Sequence, residues 1–222
     1  MARTPPSRLP RGAKLRAASI DERLAVSIPN PVVELDHTSA WQLLVATILA
    51  AQSTDKMINT ITPELFRRWP EPRDLARADL ADVEEVIKSS GFFRQKAKTI
   101  VAAATKIIGD FDGEVPPDID ALVTVPGVGR KTANVVLGAA YRIASGMVVD
   151  THVTRLSARL GLSNETDPER IEVDLMKAFP RASWIDVSHR LILHGRYVCK
   201  AKSPDCGACT LADLCPSVLR DA

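Results

Sequence analysis

Helix starts and stops recur along this chain roughly every 10–20 residues, and almost nothing in it reads as a strand. Ser39, with Gln42 three residues on, makes a capping box in front of WQLLVATILAAQ, a segment apolar nearly all round and therefore expected to be buried. Thr54 predicts a second helix start, and Thr62 followed by Pro63 has the cap-then-proline order of a third. Asp79 precedes LADVEEVIKSS, which Gly91 is expected to end in the left-handed conformation, and Gly109 is expected to end FFRQKAKTIVAAATKIIG in the same way. Beyond DFDGEVPPD, a short helix over IDALVTV meets PGVG, and RKTANVVLGAAYRIA has apolar positions at helical spacing. Further helices are predicted at 152–160, at 168–178 behind Asp167 and Pro168, and at 184–195 behind Ser183. With no sustained period-two alternation, no Asn-Gly turn and 5% aromatics, the expected class is all-α.

A chain of 222 residues, 45% of them hydrophobic, can bury one large core or two modest ones. There is no internal repeat and no strong linker, so any division into domains is expected to be discontinuous. Residues 1–16 hold Arg3, Arg8, Arg11, Lys14 and Arg16 without an acid, together with Pro5, Pro6 and Pro10, and read as a disordered basic arm. The net charge of +2 argues only weakly for a polyanionic partner. The longest apolar stretch, LLVATILAA at 43–51, is well short of the ~20 residues of a membrane span, and no signal-peptide core follows Met1. The expectation is a monomeric cytoplasmic protein with no membrane partner.

Residues 125–136, VPGVGRKTANVV, place a glycine turn directly in front of a cationic helix start. Pro126 halts the first helix, and Gly127 and Gly129 allow positive φ and close approach of another backbone. Free amides beside a helix N-terminus favour an anion, and a DNA phosphate suits that site without base readout. Lys131 falls in the first helical turn, where the dipole disfavours a cation by about 0.3–1 kcal/mol. If it also faces a dry pocket, with Arg130 adding like-charge repulsion, it becomes a neutral amine able to form a Schiff base. The alternative readings are an ordinary helical corner and a solvated lysine.

All four cysteines, Cys199, Cys206, Cys209 and Cys215, fall within one stretch near the C-terminus, which points to a metal centre rather than a disulfide scaffold. One close pair with two outlying cysteines departs from the two close pairs usual for structural zinc, but on spacing alone zinc and an iron-sulfur cluster both remain open.

The hairpin resembles the helix-hairpin-helix motif of DNA-binding proteins, and the cysteine spacing resembles the 4Fe-4S loop of the endonuclease III family. AAQSTD (50–55), GEVP (113–116), VPGVGRKTANVVL, VVDTH, LILHGRYVC and the cysteine loop occur in that family's order across residues 30–216. The resemblance implies a two-lobed all-α DNA glycosylase fold: a six-helix barrel at 33–144 carrying the hairpin, and an iron-sulfur domain formed by 17–32 with 145–222, with DNA in the cleft between the lobes. It implies a bifunctional DNA glycosylase and abasic-site lyase of base excision repair, acting on duplex DNA with a damaged pyrimidine or an abasic site, in a bacterial nucleoid. Lys131 matches the catalytic lysine and Asp150 the catalytic aspartate, although the segment between them carries an extra residue in RIASGMV. Gln52 matches a residue that fills the gap left by the flipped base, and Phe92 an apolar wedge. Gly127, Val128, Gly129, Arg130 and Lys200 would meet phosphates, and Cys199, Cys206, Cys209 and Cys215 would hold a 4Fe-4S cluster. Bland roles stand beside these: Asp150 as a helix cap, Gln52 bonding helix-end carbonyls, Phe92 or Phe93 in the core, His152 and His194 as structural hydrogen-bonders, and Lys200, Lys202 and Arg196 as solvated cations. An adenine-mismatch glycosylase shares hairpin and cluster but lacks the lysine. A non-catalytic DNA-binding module is the other alternative.

Overall fold

The computed structural model describes residues 8–218. Among them are eleven α-helices and no strand: α1 (Ala13–Ser27), α2 (Ala40–Leu49), α3 (Asp55–Arg68), α4 (Pro72–Ala76), α5 (Leu80–Val86), α6 (Phe93–Phe111), α7 (Ile119–Leu122), α8 (Arg130–Tyr141), α9 (Thr151–Arg159), α10 (Pro168–Ala178) and α11 (Trp184–Tyr197). They fall into two compact units, one spanning Val33–Ser145 and the other joining the chain up to Val32 with the chain from Gly146 onward.

The Val33–Ser145 unit is built around α2. Ser39 caps it by accepting from the Gln42 amide at 3.2 Å, and the Gln42 side chain returns to the Thr38 amide at 3.0 Å. Trp41, Leu43, Leu44, Val45, Ala46, Ile48 and Leu49 are all buried, because α3, α6 and α8 pack around this helix. Thr54 caps α3 as expected, accepting from the Met57 amide. Pro63, however, lies inside α3 rather than at a new start. An interior proline costs about 3 kcal/mol, and burying Ile58, Ile61 and Leu65 on one stripe across it contributes about 1.5–3 kcal/mol each, so packing carries the helix through.

Two other stops differ from expectation. Gly91 has positive φ but extended ψ (68°, 148°), and it is Phe92 that adopts the left-handed conformation ahead of α6. Gly109 lies within α6, which ends only where Asp112 turns left-handed; the apolar face running to Ile107 holds the helix past the glycine.

The second unit packs α1, α9, α10 and α11 around Ile20, Leu24, Leu156, Leu160, Ile171, Leu175, Val187 and Leu191. The helix α1 begins at Ala13, so residues 13–16 are ordered, against the expectation of a disordered arm. Their alanines explain it: Ala13 and Ala17 continue the buried stripe of Ile20 and Leu24, and the Arg16 guanidinium donates to the Leu160 and Gly161 carbonyls at 3.0 and 2.6 Å. Residues 1–7 of that expected arm lie outside the described residues. Asp167 and Pro168 start α10 as expected. Ser183 does not cap α11, because it sits in a 3-10 turn and its hydroxyl donates back to the Pro180 carbonyl at 3.1 Å.

Candidate functional site

The hairpin joins α7 to α8. Asp118 caps α7 by accepting from Ala121, and the Val128 amide donates to the Val125 carbonyl to close the turn at 3.0 Å. Gly127 is left-handed (φ 79°), and a Cβ there would collide with the Thr99 methyl on α6 and stand 3.3 Å from Ile48 on α2. The turn is thereby seated on both helices. Gly129 differs from expectation: its backbone is extended (φ −89°, ψ 175°) and its missing Cβ faces open space. Among the described residues the amides of Gly127, Gly129 and Lys131 donate to no acceptor. Unbonded N–H groups at a helix N-terminus, with no side chain in front of Gly129, are donors of the kind an anion takes up.

Arg130 and Lys131 are both exposed at the start of α8. The dry pocket allowed for Lys131 is therefore not supplied by its own unit. Gln52 and Phe92 share an unusual conformation: both are exposed, both are left-handed (φ 56° and 49°), and each stands in a turn leading into a helix, α3 and α6 respectively. Among the described residues the Gln52 side chain has no partner, and it lies beyond the end of α2, so it bonds none of that helix's end carbonyls. Phe92 is 71% exposed, so it is no core residue. Non-glycine residues with positive φ are uncommon; Asp112 and Arg142 share the conformation as the C-caps of α6 and α8, whereas Gln52 and Phe92 adopt it ahead of a helix.

In the other unit Asp150 caps α9. Its Oδ1 accepts from the His152 and Val153 amides at 2.8 and 2.9 Å, while Oδ2 has no partner among the described residues. Capping thus orients one carboxylate oxygen and leaves the other available. The helix start is pressed against α11 at Gly195, where an added Cβ would stand 2.8 Å from His152 Cβ. His152 Nδ1 pairs with the Arg155 guanidinium at 3.2 Å.

The four cysteines line one cavity of about 140 Å³ together with Arg159, His194 and Lys202. They are unbridged and half-buried, and among the described residues no three His, Cys, Asp or Glu side chains converge on a single ion. Four soft donors set around a cavity rather than a point suit a polynuclear iron-sulfur group better than the tetrahedron of one zinc ion, whose Zn–S bonds are about 2.3 Å. The loop is held from outside. Arg155 donates to the Gly195 and Cys199 carbonyls at 2.8 and 3.0 Å; Arg159 donates to those of Lys200 and Ala201 at 2.8 and 2.9 Å, and to Cys199 Sγ at 3.2 Å. The Leu211 amide donates to Cys209 Sγ at 3.4 Å, and His194 Nε2 lies 3.5 Å from it. Arg23 grips Asp213 through both guanidinium nitrogens and also donates to the Thr210 carbonyl at 3.0 Å. Burial pushes the Cys209 and Cys215 thiols up, with the neighbouring thiols adding to it, and burial lowers His194. The Lys200 side chain is exposed. Arg155 and Arg159 were not singled out from the sequence; their i,i+4 spacing on α9, one face ahead of a cysteine loop, was the available signal.

Residues 45–181 match the HhH-GPD superfamily of base excision DNA repair proteins, and 199–215, beginning and ending on a cysteine, match the iron-sulfur binding domain of endonuclease III. Endonuclease III of Synechocystis sp. is 53% identical over 92% of this chain and 93% of its own length. The chain belongs to the endonuclease III family. Its fold follows that of a trapped endonuclease III–DNA covalent intermediate, an estranged-adenine complex (TM-score 0.87, 40% identity, 92% of this chain and 96% of that one), and of a non-covalent endonuclease III–DNA complex (TM-score 0.87, 40% identity, 92% and 95%). As an endonuclease III family member it is a DNA-binding base excision repair enzyme, a DNA glycosylase with lyase activity, and its cofactor is a 4Fe-4S cluster. No helix among the described residues is long and apolar enough to cross a membrane.

Proposed function

We propose that this enzyme excises oxidised pyrimidines from duplex DNA through a lysine Schiff base, with Lys131 as nucleophile. The observation that carries the reading is the placement of Lys131 in the first turn of α8, two residues after Gly129, whose unbonded amide and open Cα face give a phosphate close access. Gripping that phosphate fixes the extruded sugar relative to the amine. A lysine cannot reach C1′ of a stacked nucleotide, so the base must first be flipped out.

Lys131 Nζ forms a bond to C1′ as the C1′–base bond breaks and the base leaves with its electron pair and a proton. The attached amine gives up one proton as the C1′–O4′ bond breaks and O4′ takes up a proton, leaving the open sugar as a protonated imine; that imine acidifies C2′–H, a base takes the C2′ proton, and the 3′ phosphate leaves with the C3′–O electron pair. Because Lys131 is exposed, the bound DNA itself must cover and desolvate the amine. Asp150 Oδ2 accepts the amine proton and stabilises the cationic sugar. Gln52 occupies the space of the flipped base and Phe92 wedges into the stack, both aimed by left-handed backbone. Val128 is buried and braces the turn, while Arg130 and Lys200 offer cations to phosphates. Cys199, Cys206, Cys209 and Cys215 would hold the 4Fe-4S cluster, which would keep their loop folded as a DNA-facing surface. We read the active species as a monomer confined to the cytoplasm, where its DNA lies.

The trapped covalent complex of a relative supports this chemistry. The test is to incubate the enzyme with duplex containing an oxidised pyrimidine, add borohydride and look for a covalent adduct. An adduct lost in Lys131→Ala is expected; no adduct with the wild type, or an undiminished one with the variant, overturns the assignment.

A further inference from the structure

Lys96, on the first turns of α6, is only 6% exposed, yet no acid pairs with it among the described residues. Its ammonium donates to the Ser90 carbonyl at 2.7 Å and to Ser53 Oγ at 2.9 Å, and the Ser53 hydroxyl donates to the same Ser90 carbonyl. Its own amide donates to the Phe92 carbonyl at 3.1 Å. Ser53 is next to Gln52, and Ser90 stands two residues before Phe92. One buried cation therefore ties together the two turns that carry Gln52 and Phe92.

Burying an ammonium without a carboxylate is costly, and an apolar residue of similar length would fill the same volume at less cost. Nor does the pair resemble a serine nucleophile with a lysine base: the serine hydrogen is directed to the Ser90 carbonyl, and the lysine donates to the hydroxyl oxygen rather than accepting from it. What the arrangement does is triangulate three polar groups across two turns whose helices also pack on one another. Three mutually bonded atoms hold the separation of the two turns more narrowly than packing alone does.

We propose that Lys96 is a positioning residue that sets the spacing between Gln52 and Phe92, so that the two side chains enter the duplex as a matched pair. This rests on the reading above in which both enter DNA. The bracket acts on the displaced base's gap and on the opposing stack, and so matters only where there is an opposing strand.

The test compares cleavage of an abasic site in a duplex with cleavage of the same site in a single strand, using wild type, Lys96→Met, Ser53→Ala, Gln52→Ala and Phe92→Ala. Lys96→Met is expected to lower kcat/KM on the duplex about tenfold or more while leaving single-strand cleavage unchanged. A 2-aminopurine placed opposite the site should become less unstacked, and Gln52→Ala should cost less in the Lys96→Met background than in the wild type. Ser53→Ala removes one corner of the triangle and should act in the same direction; it carries the test if Lys96→Met fails to fold. Equal losses on both substrates, or an unchanged duplex rate while Gln52→Ala and Phe92→Ala are impaired, overturns the positioning role. If neither Gln52→Ala nor Phe92→Ala affects duplex cleavage, it is the entry of these side chains that fails, and the role of Lys96 falls with it.

Discussion

Gly127 lies against Thr99 so closely that the threonine methyl fills the place of a Cβ on the glycine. The methyl has little freedom to yield, because Thr99 is β-branched within a helix and its hydroxyl is held by the Gln95 carbonyl at 2.8 Å. Gly127→Ala would also force alanine into positive φ, so a loss of about 1–3 kcal/mol is expected together with a displaced hairpin. Gly129 is the control within the same turn. It is extended and faces open space, so Gly129→Ala should leave the melting temperature within experimental error while weakening duplex binding, because the methyl stands where a phosphate would approach. Thermal melts and binding titrations on the two variants separate the roles; equal stability losses in both would remove the distinction.

How far these features were legible in the sequence follows from the range over which each is encoded. The hairpin, the caps at Ser39, Thr54, Asp79 and Asp167 and the cysteine spacing are local, and reading them needs only neighbouring residues. Pro63 misled because its cost is local whereas the burial of Ile58, Ile61 and Leu65 that outweighs it is tertiary. Lys96 was invisible for the opposite reason: it reads as one more lysine on an amphipathic helix until Ser53, 43 residues away, is brought to its ammonium. Arg159 is alike, its partners at Cys199, Lys200 and Ala201 lying about 40 residues along the chain.

Burial lowers the Lys96 pKa from its usual value of 10.5. The unfolded chain therefore keeps this proton to higher pH than the folded one, so the stability owed to this group rises as pH climbs from the lowered folded value toward 10.5. The cost is fully present below that window. Melting temperatures of wild type and Lys96→Met, measured from neutral to alkaline pH, should converge in the wild type's favour as pH increases. A difference that stays constant with pH means the ammonium is not desolvated.

The thiols of Cys209 and Cys215 are raised by burial, so metal uptake must displace protons from them. Iron and sulfide bound on reconstitution, followed by the visible absorbance of the cluster, should fall steeply as pH is lowered from about 9 to about 6. Removing the cluster should also expose the amides of Cys199 and Asp205 to hydrogen exchange while α2 and α6 stay protected, because the guanidiniums of Arg155 and Arg159 then brace a loop with nothing inside it. Loading that is flat across this pH range would mean that these thiols are not ligands.

Asp150 caps α9, and the mechanism proposed above gives it a second role that substitution can pull apart from the first. Its Oδ1 accepts from two amides of α9, and asparagine caps as well as aspartate does, so Asp150→Asn should hold the fold to within about 0.5 kcal/mol. Asp150→Ala loses the cap and should cost about 1 kcal/mol. The chemistry responds differently, because an amide in place of Oδ2 neither accepts the amine proton nor balances a cationic sugar. Both variants should therefore lose about 10²-fold or more in single-turnover excision, and the trapped adduct should form slowly in both. Melting temperature thus separates the variants while excision rate does not. An Asp150→Asn enzyme that excises at the wild-type rate would reduce Asp150 to the cap of α9 and leave deprotonation of Lys131 to another group.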